Sequence, residues 1–444
     1  MRVSVIGTGY VGLVTGTCLA EKGIDVTCVD IDQDKVDSIN RGEPPIYERG
    51  LEELLKKNIG WRLRATADLR TAVLQSDVTM ITVGTPFRPE GVDLRFVEEV
   101  SRQIGAALTD KPDYHVVVVK STVVPGTTDG VVKPLLEQAS GKQAGDGFGV
   151  GMNPEFLTEG EAVSDFMVPD RIVIGGIDDR TLDTQSRLYQ GFPDVETLRT
   201  NNNTAEMIKY ASNALLATLI SFSNELANLG AAIGDIDTVE VSRGLQMSRY
   251  LSTVLPDGQR FLPPINSFLL AGCGFGGSCL PKDVAALIAH GRNHGHEMSL
   301  LEAVLSINRQ QPARILGLLG KHFSDLAGKR ISVLGLAFRP DTDDMRESPA
   351  IPIIRNLLAR GAEVRGYDPI ANDEARKVFG DSVALCASLE EALGDCDAVV
   401  LVTRWREFET VPELAARMNP PPVFIDGRRM LDKTNFARYE GIGL

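Results

Sequence analysis

The chain has little cysteine for its length, six in 444 residues, and no CxxC pair among them. That argues against a disulfide framework and predicts reduced thiols in a cytoplasm-like compartment. It lacks a long apolar run: none approaches the roughly 18 uninterrupted residues a membrane helix needs. Residues 3–20 carry no charge, yet Gly7, Gly9, Gly12 and Gly16 interrupt them and Arg2 alone precedes them, which weighs against a targeting or membrane segment. There is no long basic stretch, and the formal net charge is −14. Nucleic acid and a membrane are therefore excluded as expected partners. What is present is average globular composition, 43% hydrophobic and 24% charged, with 43 glycines that imply many tight turns.

The first thirty residues read strand, glycine turn, helix, strand: Arg2–Ile6, then a helix through Cys18 and Lys22, then Asp25–Asp30. Apolar runs at Ser76–Val83 and His115–Val119 flank a helical pattern at Phe96–Leu108. Strands alternating with helices imply βαβ units and a parallel sheet covered on both faces. Near residue 200 the pattern becomes helical: Ala205–Ile233, Ala232–Met247 and Pro281–Gln311. From Gly328 the opening pattern returns, with strands at Arg330–Gly335, Gly361–Asp368 and Asp397–Val402. The expected fold class is α/β, two doubly wound Rossmann-like parallel sheets separated by an all-helical middle domain. The boundaries are 1–200 for a dinucleotide-binding domain, 201–312 for a helical middle domain and 313–444 for a second Rossmann-like domain.

Gly7-Thr8-Gly9-Tyr10-Val11-Gly12 is a GxGxxG between strand and helix, and Asp30 lies 18 residues beyond Gly12. The first glycine makes the turn, the second admits a pyrophosphate and the third lets helix pack on strand. Asp30 accepts from ribose hydroxyls and repels a 2′-phosphate, so the expected cofactor is NAD rather than NADP. The second α/β half keeps Gly335 but has Leu336-Ala337-Phe338 next, too bulky for a second pyrophosphate; it suits another nucleotide's base and sugar.

Residues 272–283, GCGFGGSCLPKD, hold four glycines, two thiols and a Lys-Asp pair. Cys279 stands at the start of an expected helix, where the dipole and Lys282 favour the thiolate. Gly274, Phe275 and Gly276 let a substrate lie along the backbone. Cys273 reads as wall; Cys18, Cys28, Cys386 and Cys396 lie in apolar patterns and read as core. Lys209 and Asn213, four apart, share a helix face as either a salt-bridge arrangement or an oxyanion site. Ser121-Thr122 and Asn153–Glu159, which includes Glu155, Phe156 and Leu157, follow strands at the rim where Rossmann-type ligands bind. His290, His294 and His296 lack a carboxylate to complete a metal set and read as a solvated loop, so no metal is expected.

Together GTGYVGL at 7, STVVPGT at 121, NPEFLTEG at 153, GFGGSCLPKD at 274, GLAFRPDTDDMRESP at 335 and DGRR at 426 resemble the UDP-glucose/GDP-mannose dehydrogenase family over essentially the whole chain. Ser278 before the cysteine and Pro281-Lys282-Asp283 after it separate it from the branch that oxidises 2-acetamido sugars, and the rest looks most like the UDP-glucose branch. The resemblance implies oxidation of a sugar C6 alcohol to a carboxylate with two NAD⁺ and no metal, UDP-glucose giving UDP-glucuronate, in the service of polysaccharide biosynthesis. Cys279 forms a thiohemiacetal and then a thioester. Asp283, Thr122 and Glu155 handle the proton and the water, and Lys209 and Asn213 stabilise oxyanions. By the same resemblance Lys35, Thr85, Glu159 and Arg346 contact NAD, alongside Ser121 and Lys282. Phe338, Arg339 and Arg428 hold the nucleotide-sugar; Arg339 stands where lysine is common. The family buries its site between two α/β halves and forms homodimers or higher homo-oligomers through the middle helices. Arg249 and Arg260 both qualify for the basic residue that precedes the family's glycine loop. Two other readings compete: a two-electron hydroxy-acid dehydrogenase, which needs no thiol, and a non-catalytic NAD sensor.

Overall fold

The computed structural model describes residues 1–88 and 91–444, which divide into two compact units, Met1–Ser212 and Asn213–Leu444. In the first, eight strands lie in the spatial order Thr197–Thr200, Ile172–Gly176, Phe148–Met152, His115–Val119, Val78–Ile81, Arg2–Ile6, Asp25–Val29, Leu63–Thr66. Successive strand residues point to opposite faces, and both faces are covered. Val116 and Val118 join one buried cluster with Val5, Leu13 and Leu19; Val117 and Val119 join another with Ile6 and Ile104. That is why these strands read as unbroken apolar runs. The uncharged stretch 3–20 is likewise a buried strand, a turn and the helix Tyr10–Glu21, whose residues 12–20 are all buried.

The expected parallel order holds with one exception. Ile172–Gly176 runs antiparallel to Phe148–Met152, pairing Gly151 with Gly176. A parallel partner needs a crossover back to the starting end of the sheet; here the chain turns back at the end where it left, with the short helix Ala162–Met167 in the connection.

The second unit repeats the plan with six parallel strands in the order Ala384–Leu385, Glu363–Tyr367, Arg330–Leu334, Ala398–Leu401, Val423–Asp426, Tyr439–Gly441. The echo reaches individual hydrogen bonds. Gly7 donates to Val29 O at 2.8 Å, and Gly335 donates to Tyr367 O at 2.9 Å. Asp30 accepts from the Thr8 amide at 2.9 Å, and Asp368 from the Leu336 amide at 2.8 Å.

The middle segment is not helical throughout. Between Thr238–Gln246 and Leu280–Asn293 lie a small antiparallel hairpin, Thr253–Val254 with Arg260–Phe261, and a 3₁₀ turn at Pro264–Leu269. Pro256 and Gly258, poor helix residues, sit in the hairpin turn, where Leu255 donates to Gln259 O at 2.8 Å. The expected helix 281–311 breaks at Gly295, whose φ of +70° is left-handed, and resumes as Ser299–Gly320. His290 therefore lies on a helix and His294 at its C-cap, not in a loop.

A polar chain crosses the first sheet: Ser4 Oγ to Thr79 Oγ1 at 2.7 Å, and Thr79 Oγ1 to His115 Nε2 at 2.8 Å. Burial, and after it the Lys111 ammonium, pulls the fully buried imidazole down to about 3. It stays neutral in the fold, whereas the unfolded chain takes its proton near pH 6.5. Its contribution to stability is thus present above about pH 6.5 and lost as the pH falls towards 3. Urea unfolding of His115→Asn should lose less stability between about pH 6 and 4 than the parent protein does; equal slopes would exclude His115 as a source of acid sensitivity.

Candidate functional site

In the first unit the glycine turn is built for a dinucleotide. Gly7 has a φ of +101°. A Cβ on Gly12 would lie 1.8 Å from Gly7 O and 2.6 Å from Thr82 Oγ1, while one on Gly9 would meet nothing within 4 Å. The helix Tyr10–Glu21 starts at Gly9 without a side-chain cap, leaving the amide dipoles of its first turn, at Tyr10 and Val11, for an anion. Burial opposes ionisation of Asp30, but the Thr8 hydroxyl and amide, the Asp32 amide and Lys35 hold its carboxyl below the usual range. These residues fit NAD: an open cradle over Gly9, a helix terminus and a carboxylate at the end of the second strand. Tyr10 turns its hydroxyl to the buried Glu48, which also accepts from the Gly160 and Ala162 amides at 2.7 and 2.9 Å.

Along the same rim, Thr85 Oγ1 donates to Thr122 O at 2.7 Å and Ser121 Oγ to Val83 O at 2.7 Å. Glu155 is buried and pairs with Lys209, Nζ to Oε1 at 2.9 Å; its other oxygen accepts from the Leu157 amide at 2.7 Å. Burial would raise the Glu155 carboxyl, but Lys209, the Leu157 amide and Lys120 outweigh it and keep it ionised. Phe156 lies under the Arg171 guanidinium, 4.1 Å from the ring centre, with Lys209 Nζ at 5.7 Å. Leu157 packs against the core and Glu159 is half-buried beside it.

In the second unit Cys279 is the half-buried N-cap residue of the helix Leu280–Asn293, its Sγ 3.6 Å from Ser278 Oγ. One turn on, the buried Asp283 accepts from Asn213 Nδ2 at 2.6 Å and from Lys282 Nζ at 2.5 Å. The partner of Lys282 is therefore this carboxylate. Two of the loop glycines also make room for the chain itself. A Cβ on Gly276 would lie 2.2 Å from Glu347 O, and one on Gly277 2.7 Å from the Phe338 ring. Asn308 clamps Phe275 by its amide at 2.8 Å and its carbonyl at 2.9 Å. Arg428 donates to Gly274 O at 2.8 Å and Val402 O at 2.6 Å. Arg346 forks onto Asp344, 2.7–2.9 Å, while its carbonyl receives the Gly277 amide at 2.9 Å. Phe338, Arg346 and Arg428 are thus gathered on the glycine loop, with Arg339 next to Phe338 in the chain. Arg260 is tied into its own hairpin, donating to Met247 O at 2.8 Å and Ser252 Oγ at 2.5 Å.

Asp368, the counterpart of Asp30 in the second sheet, is engaged differently. It is buried and accepts from the Leu336, Ala337, Ile370 and Ala371 amides and from Trp405 Nε1. Cys18, Cys28, Cys273, Cys386 and Cys396 are all buried. Sequence reasoning missed Asn308, Arg404, whose guanidinium donates to Arg428 O, and the buried Lys120, one residue before the Ser121-Thr122 pair it singled out. Among the described residues no group of His, Cys, Asp and Glu is placed to hold a metal, and no helix is long and apolar enough to cross a membrane.

Residues 1–193, 203–310 and 332–433 match, in turn, the NAD binding, central and UDP binding domains of the UDP-glucose/GDP-mannose dehydrogenase family. The chain is 43% identical to UDP-glucose 6-dehydrogenase AglM of Haloferax volcanii over the whole of both proteins. It is 40% identical to UDP-glucose 6-dehydrogenase TuaD of Bacillus subtilis, covering 99% of this chain and 92% of that protein. Among solved structures it is similar to a UDP-glucose dehydrogenase of Pyrobaculum islandicum, with a TM-score of 0.90 and 38% identity over 100% of this chain and 97% of the other. The chain belongs to the UDP-glucose/GDP-mannose dehydrogenase family.

Proposed function

We propose that the chain oxidises the C6 alcohol of UDP-glucose to the carboxylate, a four-electron reaction in which Cys279 is the nucleophile. The observation that carries this reading is a thiol at a helix N-terminus followed one turn later by the buried Asn213–Asp283 pair. A two-electron alcohol oxidation has no use for the thiol. Gly9, the first helical turn and Asp30 would hold NAD⁺, which when bound supplies the hydride acceptor for both oxidations, two equivalents per sugar.

Asp283 takes the proton of the C6 hydroxyl as the aldehyde forms, and Asn213 steadies the developing oxyanion with its amide. An aldehyde has no readily removed hydride until a nucleophile adds. Cys279 Sγ bonds to C6, the carbonyl oxygen takes up the proton, and a thiohemiacetal results. Its oxidation leaves a thioester. Water, ordered by Glu155 and Thr122, attacks C6; the C–S bond breaks, and the acid and the free thiol are released. Lys209, paired with Glu155, places a cation for both tetrahedral oxyanions. Phe338, Arg339 and Arg428 take the nucleotide-sugar, the arginines at its phosphates, and Ser121, Thr85, Lys35, Glu159, Lys282 and Arg346 complete the cofactor's surroundings. The substrate assignment follows the relatives' names.

The proposal extends to a homo-oligomer in a reducing cytoplasm. Leu215, Phe222 and Leu229, seven residues apart on the long helix Asn202–Ile233, are 45–56% exposed, an apolar stripe suited to a second copy.

The test is NADH released per mole of nucleotide-sugar, with UDP-glucose and GDP-mannose in parallel. Two NADH per UDP-glucose, with acid formed, is the expected result. One NADH would replace the thiol route by two-electron chemistry, and two from GDP-mannose alone would move the substrate.

A further inference from the structure

Lys120 has no part in the chemistry above, yet the fold holds it in the first unit's interior. It follows the strand His115–Val119 and is 3% exposed. Its Nζ donates to Asn153 Oδ1 at 2.8 Å. That oxygen also accepts from the Tyr189 hydroxyl at 2.5 Å, while the Asn153 amide nitrogen donates to Val173 O at 2.8 Å. With the nitrogen so occupied, the oxygen has to face the ammonium. The charged groups facing Lys120 are Glu155, two residues beyond Asn153, and Lys209 from the long helix; the Tyr189 hydroxyl and the Phe166 ring, 6.0 Å away, close the remaining sides.

The cluster therefore buries two ammonium groups and one carboxylate. Glu155 already has Lys209 on one oxygen and the Leu157 amide on the other, so Lys120 is paired to a neutral amide and its charge is left over. Burying an ammonium without a carboxylate of its own is costly, and packing alone does not require it, since an apolar side chain would fill the same space. A surplus positive charge in a dry site is what a developing oxyanion needs.

We propose that Lys120 is a positioning residue of the oxidation: held by Asn153, its ammonium stands as a second cation beside the Glu155–Lys209 pair, so that Lys209 keeps its charge for the substrate oxygen. This rests on the catalytic reading of Glu155 and Lys209. Burial pulls the Lys120 ammonium down to about 8, Glu155 acting against this and Lys209 with it. The charge is present at neutral pH and lost as the pH rises through that value.

The test uses Lys120→Met and Lys120→Arg in the full chain, beside Lys209→Met. Lys120→Met should lower kcat about 10- to 100-fold at neutral pH with KM for UDP-glucose nearly unchanged. The parent enzyme should lose kcat above about pH 8, and Lys120→Arg, whose charge is permanent, should restore kcat and keep it there. Without cofactor or substrate, the melting temperature of the parent should gain on that of Lys120→Met as the pH rises from neutral to about 9.5, because the folded protein then binds fewer protons than the unfolded chain. A kcat for Lys120→Met within about twofold of the parent, or an alkaline limb that persists in Lys120→Arg, overturns the proposal. If Lys209→Met also leaves kcat unchanged, the catalytic reading of the whole cluster falls instead.

Discussion

Cys279→Ser should make no acid from UDP-glucose: carboxylate formation should fall on the order of 10³-fold or more. The replacement keeps the side chain's size and leaves an N-cap residue that is favoured at the start of Leu280–Asn293, so the melting temperature should not fall. What changes is the nucleophile. A thiol is a far stronger acid than an alcohol, and its anion is the better nucleophile towards a carbonyl carbon. The sugar then reaches the aldehyde and the second oxidation has no hemiacetal-type carbon to act on. Had serine been activated instead, the product would be an ester, which water and Glu155 cleave more slowly than a thioester. The measurement is acid and NADH formed in a single turnover, with the melting curve as control. Two NADH per sugar from Cys279→Ser at the parental rate would remove Cys279 from the mechanism and revive the reading in which no thiol is used.

Much of the architecture was legible because burial on both faces leaves a plain trace: His115–Val119 and Arg330–Leu334 read as strands, and structure and sequence give the same or nearly the same ends. Direction leaves no such trace. Nothing in Ile172–Gly176 distinguishes a strand that crosses back from one that turns back, so its antiparallel pairing came only from the structure. The glycines of 272–277 were visible, but the chain segments that two of them pack against were not: a side chain on Gly276 would meet Glu347 and one on Gly277 would meet Phe338. Partners far apart in sequence were invisible as pairs, as with Asn213 and Asp283, which lie 70 positions apart. Lys120 escaped notice because a lysine is normally solvated; only its burial against Asn153 makes it unusual.

Gly9→Ala and Gly12→Ala should both impair NAD binding, but for opposite reasons. At Gly12 the new methyl carbon would sit 1.8 Å from Gly7 O and 2.6 Å from Thr82 Oγ1, and Thr82 Oγ1 itself donates to Gly7 O at 2.8 Å. Neither atom has freedom to move, because Gly7 O belongs to the turn and the Thr82 hydroxyl is bonded to it. Helix and strand must separate, at a cost of about 3 kcal/mol or more, so Gly12→Ala should melt well below the parent and bind NAD poorly because its cradle is deformed. At Gly9 the backbone has a φ of −68°, which alanine adopts freely, and no protein atom lies within 4 Å of the added carbon. The fold should be untouched. The methyl would instead occupy the space over the uncapped helix terminus, where a pyrophosphate has to approach the amides. Gly9→Ala should therefore melt like the parent while its Kd for NAD rises about 10- to 100-fold, the equivalent of roughly 1.4–2.8 kcal/mol. Calorimetric titration with NAD and a melting curve for each variant separate the two effects. Unchanged NAD affinity in Gly9→Ala would mean that the pyrophosphate does not lie over this turn, and the cofactor's place in the first unit would have to be redrawn.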